Sequence, residues 1–355
     1  MALTDVLETP SMPTLKAASS LLTDIAQAGS RLVAVGQRGH IIYSDDMGKT
    51  WVQAKVPVSV LLTGVYFVDS RNGWATGHGG LVLHTTDGGA TWTKQFDGNE
   101  ANQLVIAQVQ ARLDALQAKY DQASEDEKAD LEYELEDAQF ALEDAQADAE
   151  TGPSKPLLDV WFKDTNHGFV VGAYGFFFET RDGGETWENA APRIENDERF
   201  HLNAIAQVTG GALFIVGEAG QIFRSTDEGA TWEKLDSPYS GSLFAVSGTG
   251  NVNEVLVAGL RGHIFRSQDL GRTWERVMLG AEQTINSLSA DGKGRVLAMG
   301  NSGVWAMSQD FGETFKVHTR EDREALLAGL YLPDDRLVFV GERGVRLLRG
   351  LSKLY

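Results

Sequence analysis

The sequence predicts an all-β fold, a seven-bladed β-propeller closed by its terminal strand and interrupted by an antiparallel helical hairpin. Three observations predict it. A box reading Ser/Thr-x-Asp-x-Gly-x-Thr-Trp/Phe recurs six times, a Gly-x-x-Gly turn recurs seven times, and one interval between boxes is twice as long as the others. Self-similarity at a period of about 40–45 residues is the signature of four-stranded propeller blades.

The boxes are Ser44 to Trp51, Thr85 to Trp92, Thr180 to Trp187, Ser225 to Trp232, Ser267 to Trp274 and Ser308 to Phe315. Their final aromatics are 41, 95, 45, 42 and 41 residues apart, and five of the eight Trp occupy this slot. The glycine turns begin at Gly36, Gly77, Gly172, Gly217, Gly259, Gly300 and Gly341. Blade two shows the expected pattern: strands over Leu61–Val68, Gly73–Thr76, Leu81–Thr85 and Thr91–Gln95, with a glycine turn between the second and third and a box between the third and fourth. The box has a structural logic. A carboxylate accepts N–H groups of its own turn, glycine takes the left-handed conformation, and the aromatic packs between sheets. Asp46, Asp87, Asp182, Asp227, Asp269 and Asp310 are therefore read as structural. A calcium loop would need further oxygen ligands at fixed spacing.

Seven turns against six boxes predict closure by the other terminus. The chain nearly ends after Gly341 to Leu348, so Thr4 to Thr9 is expected to supply the fourth strand of blade seven. Closure would remove an exposed sheet edge.

The long interval holds the insertion, residues 99–152. It divides the propeller into residues 1–98, blades one and two, and 153–355, blades three to seven. Between Ala101 and Glu150 there is neither Gly nor Pro. Ile106, Val109, Leu113, Leu116 and Tyr120 form one a/d seam; Leu131, Leu135, Ala138, Leu142 and Ala145 form another. Residues 99–152 carry 15 acidic against three basic residues, a net of −12. A second apolar stripe, with Tyr133 and Phe140, lies opposite the seam of the second helix. Leu104, Ala107, Ala111, Ala115 and Ala118 lie off the seam of the first. Either these stripes fold on the propeller or they dock a partner; the second reading is favoured, because small residues admit close helix approach.

The 355 residues carry a net charge of −19 and no cysteine. That excludes disulfides and Cys-based metal sites, and argues against nucleic acid or an anionic membrane surface as partner. No apolar run approaches the ~18 residues of a membrane span, and no direct membrane insertion is expected. The first residues, MALTDVLETP, lack the basic start and apolar core of a signal peptide. Nucleophile-elbow, phosphate-loop and zinc-protease motifs are missing, so no enzyme, catalytic residue, cofactor or metal is expected. The alternative is a sialidase-like carbohydrate-active hydrolase, which needs paired carboxylates and an arginine cluster; its Phe/Tyr-Arg-Ile-Pro signature is absent. Arg38, Arg261 and Arg343 share the third place of their glycine turns. On blades one, five and seven they would form a cationic patch for carboxylates or acidic segments.

The Gly-x-x-Gly turns followed by Asp boxes resemble the photosystem II stability/assembly factor family and its bacterial BNR-repeat relatives, over nearly the whole chain except the hairpin. The resemblance implies a non-enzymatic binding scaffold that assists assembly of a membrane protein complex outside the cytoplasmic membrane, with a bacterial periplasm favoured. The family's arginine patch maps onto Arg38, Arg261 and Arg343. The acidic hairpin departs from the plant-type pattern and fits a non-photosynthetic relative. The implied partner is the extracytoplasmic part of a membrane protein such as a transporter.

Overall fold

The computed structural model describes residues 5–349. Its strands form seven antiparallel meanders, each starting at the channel and ending at the rim. The innermost strands are Leu22–Ala28, Leu62–Phe67, Leu157–Phe162, Leu202–Gln207, Leu243–Gly248, Ile285–Ala290 and Leu326–Tyr331. Six sheets have four strands and the seventh has three among the described residues. The second strand of each sheet is buried along its length, save for Arg31 at the start of blade one's, as a strand covered on both faces must be. Adjacent sheets share apolar clusters, and the cluster joining blades seven and one closes the ring. It includes Leu22, Ile25, Leu32, Val338 and Val340.

Each box is a self-contained hydrogen-bonded turn. In the first, Asp46 Oδ1 accepts from Ser44 Oγ at 2.8 Å and from the backbone N–H of Lys49 and Thr50 at 3.0 and 2.8 Å. Its Oδ2 accepts from Thr50 Oγ1 at 2.6 Å. Trp51 Nε1 donates to Gly48 O at 3.1 Å. Both carboxylate oxygens are thus occupied within eight residues. In the fourth box, the hydroxyl and backbone N–H of Thr231 hold Asp227 down at about 2.

Ring closure differs from the expected one. Asp5–Thr9 lie outside the seventh sheet, and Thr4 lies outside the described residues. Asp5 instead caps a turn: its Oδ1 accepts from Leu7 N at 2.9 Å, and its carbonyl accepts from Thr9 Oγ1 at 2.6 Å. Leu7, 4% exposed, joins the core between blades one and two. A self-capped turn with one buried apolar anchor outcompetes a short polar strand on an open edge. The seam is closed farther along, where Val345 N donates to Ala18 O at 2.9 Å.

The helices span Gly98–Gln122 (α1) and Glu125–Glu150 (α2). Asp97 and Ser124 cap them with capping boxes to Glu100 and Glu127. Leu116, Ala138, Leu142 and Ala145 are buried along the seam, and Arg112 pairs with Asp137 across it at 3.0 Å.

Closure yields a test. A Cβ on Gly344 would lie 2.0 Å from Ala18 O, and this residue holds a φ of +72°. Gly344→Ala should cost at least about 1–2 kcal/mol for the left-handed backbone alone, with the clash added. Calorimetry should show a lowered melting temperature; an unchanged one would mean that the seam does not run through Ala18.

Candidate protein-binding face

The glycine turns are built by close backbone approach. In blade one, Gly39 N donates to Val60 O at 2.6 Å, so the turn leans on the segment entering blade two. That contact leaves the third turn residue pointing outward in the left-handed region. Arg38, Tyr174 and Arg261 have φ of 55°, 55° and 57°, and all three are exposed. The turns therefore display their third side chains on a common face, except on blade two, where that place is Gly79 and lies against Leu7.

The three predicted arginines lie on blades one, five and seven, with blade six between the last two. All are exposed. Arg343 Nε donates to Glu324 Oε1 at 2.8 Å, whereas Arg38 and Arg261 have no carboxylate partner among the described residues. Sequence reasoning overlooked the strip connecting two of them. Ser11 Oγ donates to the carbonyl of Arg38 at 2.9 Å, and Ala18 O receives Val345 N beside Arg343. The segment from Ser11 to Ala18 runs from one arginine turn to the other. On it, Met12 is 78% and Leu15 105% exposed. A lone Met and Leu among polar residues gave no periodic signal.

The hairpin rises from the same face. A Cβ on Gly80, in the blade-two turn, would lie 2.6 Å from Gly98 Cα, and one on Gly98 would lie 2.8 Å from Pro153 Cα. Its two ends therefore meet over that turn. Its two outer stripes part company. Leu104 and Val105 of α1 pack with Phe96, Phe176, Phe178 and Trp187. Gln108 exchanges hydrogen bonds with Asn189 at 3.1 and 2.7 Å on the rim of blade three. Tyr133 and Phe140 of α2 are 76% and 66% exposed. The beginning of α1 is thus propeller core, contrary to the favoured reading of its stripe.

The central channel carries a feature missed in the sequence. Asp24 Oδ2 accepts from Val65 N at 2.9 Å, tying blade one to blade two. Asp159 Oδ2 accepts from Ile205 N at 2.8 Å, tying blade three to blade four. Burial pushes both carboxyls up to about 7 against the opposing hydrogen bonds, and the charge of Asp24 adds to the rise at Asp159. The shared pattern Leu-x-Asp-Ile/Val, in Leu22–Ile25 and Leu157–Val160, was the available signal. Each of the four oxygens of this pair already accepts a backbone N–H. Thr23, Thr63, Asn203 and Asn286 line the same cavity, about 200 Å³, and no arginine among the described residues does.

The model of the photosynthesis system II assembly factor YCF48 family matches residues 45–114 and 143–348, stopping short of most of the hairpin. The chain belongs to this family. The photosystem II assembly lipoprotein Ycf48 of Synechococcus sp. (strain RCC307) is 39% identical over 193 residues, 54% of this chain and 57% of that protein. That of strain CC9902 is 30% identical over 192 residues, with the same coverage. The chain thus matches just over half the length of these curated YCF48 relatives. YCF48 bound to D1 peptide shares the fold with a TM-score of 0.63 at 16% identity, covering 93% of both chains. YCF48 from Cyanidioschyzon merolae gives 0.63 at 15%, covering 96% and 98%. The curated members named here are called photosystem II assembly lipoproteins. No described helix is long and apolar enough to cross a membrane.

The channel carboxylates and the boxes make opposite demands on pH. Asp24 and Asp159 have folded pKa values above the unfolded ~4. Their favourable contribution is complete below about 4 and is lost as pH rises through about 7. The box carboxylates contribute fully above about 4 and lose that contribution as pH falls toward 2. Melting temperature should therefore peak near pH 4–5 and decline through 7. The Asp24→Asn/Asp159→Asn variant should lose much of the decline; an unaltered slope would remove these two groups as its cause.

Proposed function

We propose that this protein is a non-enzymatic assembly factor that holds a segment of a membrane protein complex on its glycine-turn face, outside the cytoplasmic membrane. The carrying observation is the amphipathic arc from Arg38 to Arg343. Two exposed cations bracket the exposed Met12 and Leu15, and Arg261 stands two blades away. Such an arc suits an extended segment with a carboxylate and apolar side chains: guanidinium groups fix the carboxylate in bidentate geometry, and the apolar pair supplies contact area.

The family supports this reading. One relative has been solved with a bound D1 peptide, and curated relatives are named lipoproteins, which fits an extracytoplasmic, periplasmic location. The partner is best described as a segment of a membrane protein; the transporter expected from sequence draws no support from the relatives. A sialidase-like hydrolase is not favoured, since the channel carboxylates are engaged by backbone and lack arginine neighbours.

The test is capture of solubilised membrane proteins by tagged protein. The wild type should enrich one membrane complex, and Arg38→Glu/Arg261→Glu/Arg343→Glu should lose that enrichment about tenfold or more. The melting temperature should barely change, because exposed charges contribute little to stability. Equal enrichment by the triple variant would remove this face from the function.

A further inference from the structure

The hairpin carries a second surface, and its chemistry specifies an occupant. α2 has twelve acidic residues and one lysine, Lys128. The seam residues Leu131, Leu135, Ala138, Leu142 and Ala145 face α1. At ~100° per residue, Tyr133 and Phe140 lie within about 20° of one line on the opposite side, with Ala129 and Ala147 beside them. The two aromatics are exposed at 76% and 66%. Asp130 flanks this line on one side, and Glu136 and Glu143 flank it on the other. All three carboxylates are exposed and have no cationic partner among the described residues. From Ala129 to Ala147 the stripe is about 27 Å long, five helical turns.

We infer that this face of α2 is a docking strip for a basic amphipathic helix of another protein. The inference rests on the protein-binding function proposed above and adds a second site to it. Two aromatic knobs in line offer the contact area of a helix interface, and unpaired carboxylates on both sides act as the flanking charges that choose a partner. The complement is a helix of about 18 residues with an apolar stripe bordered by Lys and Arg. A second copy of this chain is the wrong occupant, since pairing two α2 faces would oppose two strongly negative helices. Anionic lipid and nucleic acid are repelled for the same reason. The base of α1, anchored on blade three through Leu104, Val105 and Gln108, holds the strip on the same side of the disc as the arginine arc. One partner could therefore present an acidic segment to the arc and a basic helix to α2.

The test uses the full chain and three synthetic 18-residue helical peptides. One has a Leu stripe bordered by Lys, one has the same Lys with the stripe replaced by Gln, and one has the Leu stripe bordered by Glu. Binding is read by fluorescence anisotropy at low and high salt. The first peptide should bind at least about tenfold more tightly than either control, and weaken with salt. Tyr133→Ala/Phe140→Ala should abolish that preference, and Glu136→Gln/Glu143→Gln should reduce the salt dependence. Both variants alter exposed side chains and should keep the wild-type melting temperature. Arg38→Glu/Arg261→Glu/Arg343→Glu should bind the peptide like wild type, so the two sites fail separately: loss of membrane capture in that variant with no peptide binding anywhere would overturn the hairpin inference alone. Equal binding of the Gln-stripe peptide, or undiminished binding by Tyr133→Ala/Phe140→Ala, would also overturn it. So would self-association in sedimentation that Tyr133→Ala/Phe140→Ala abolishes.

Discussion

The close approach of each glycine turn to the segment entering the next blade organises everything on the binding side. At the ring seam, a Cβ on Gly344 would sit 2.0 Å from Ala18 O, in the segment entering blade one, and one on Gly341 2.1 Å from Ala325 O, in the segment entering blade seven itself. Two passing chains fill the space a side chain would need. The turn responds by turning its third residue outward. Except on blade two, where Gly79 lies against Leu7, that residue becomes the surface: arginine on blades one, five and seven, tyrosine on blade three, alanine on blade four, serine on blade six. Stability fixes the backbone and leaves the displayed side chain free to vary. This separation of scaffold from site is what lets one propeller host many binding functions.

The other edge of the disc is organised by hydrogen bonding. Six box carboxylates are consumed by their own turns, as the two oxygens of Asp46 illustrate. In the channel, Asp24 and Asp159 spend their oxygens on backbone N–H groups, including those of neighbouring blades. An acidic protein thus keeps eight carboxylates in structural roles, while α2 alone carries twelve acidic residues against one lysine. The charge asymmetry that the sequence shows becomes a spatial one: cationic side chains on the arc, anionic ones on the arm.

The repeat was legible because each of its letters answers a backbone demand that does not depend on distant residues. Glycines fit close approaches, the box Asp caps its own turn, and alternate burial follows from strand geometry. Blade two was placed within two residues at every strand end. The hairpin was legible from composition and seam spacing, again local. What escaped depends on which segments meet. Thr4–Thr9 reads as a strand in isolation, yet Asp5 caps a turn there and Leu7 finds an apolar slot between blades one and two. Leu104 reads as off-seam, and only the lean of α1 onto blade three packs it, half-buried, against the propeller core. Asp24 and Asp159 occupy equivalent places on two of seven inner strands, so no repeat announced them. Met12 and Leu15 matter only because the chain passes between two arginine turns.

The central claim is that function resides on the glycine-turn face and the hairpin it carries, while the box edge is scaffold. Hydrogen–deuterium exchange of the protein with and without the membrane protein it captures tests this most directly. The account predicts added protection at Ser11–Ala18, at the turns holding Arg38, Arg261 and Arg343, and along α2, with the box turns unchanged. Protection confined to the box turns, from Ser44–Trp51 round to Ser308–Phe315, would contradict it.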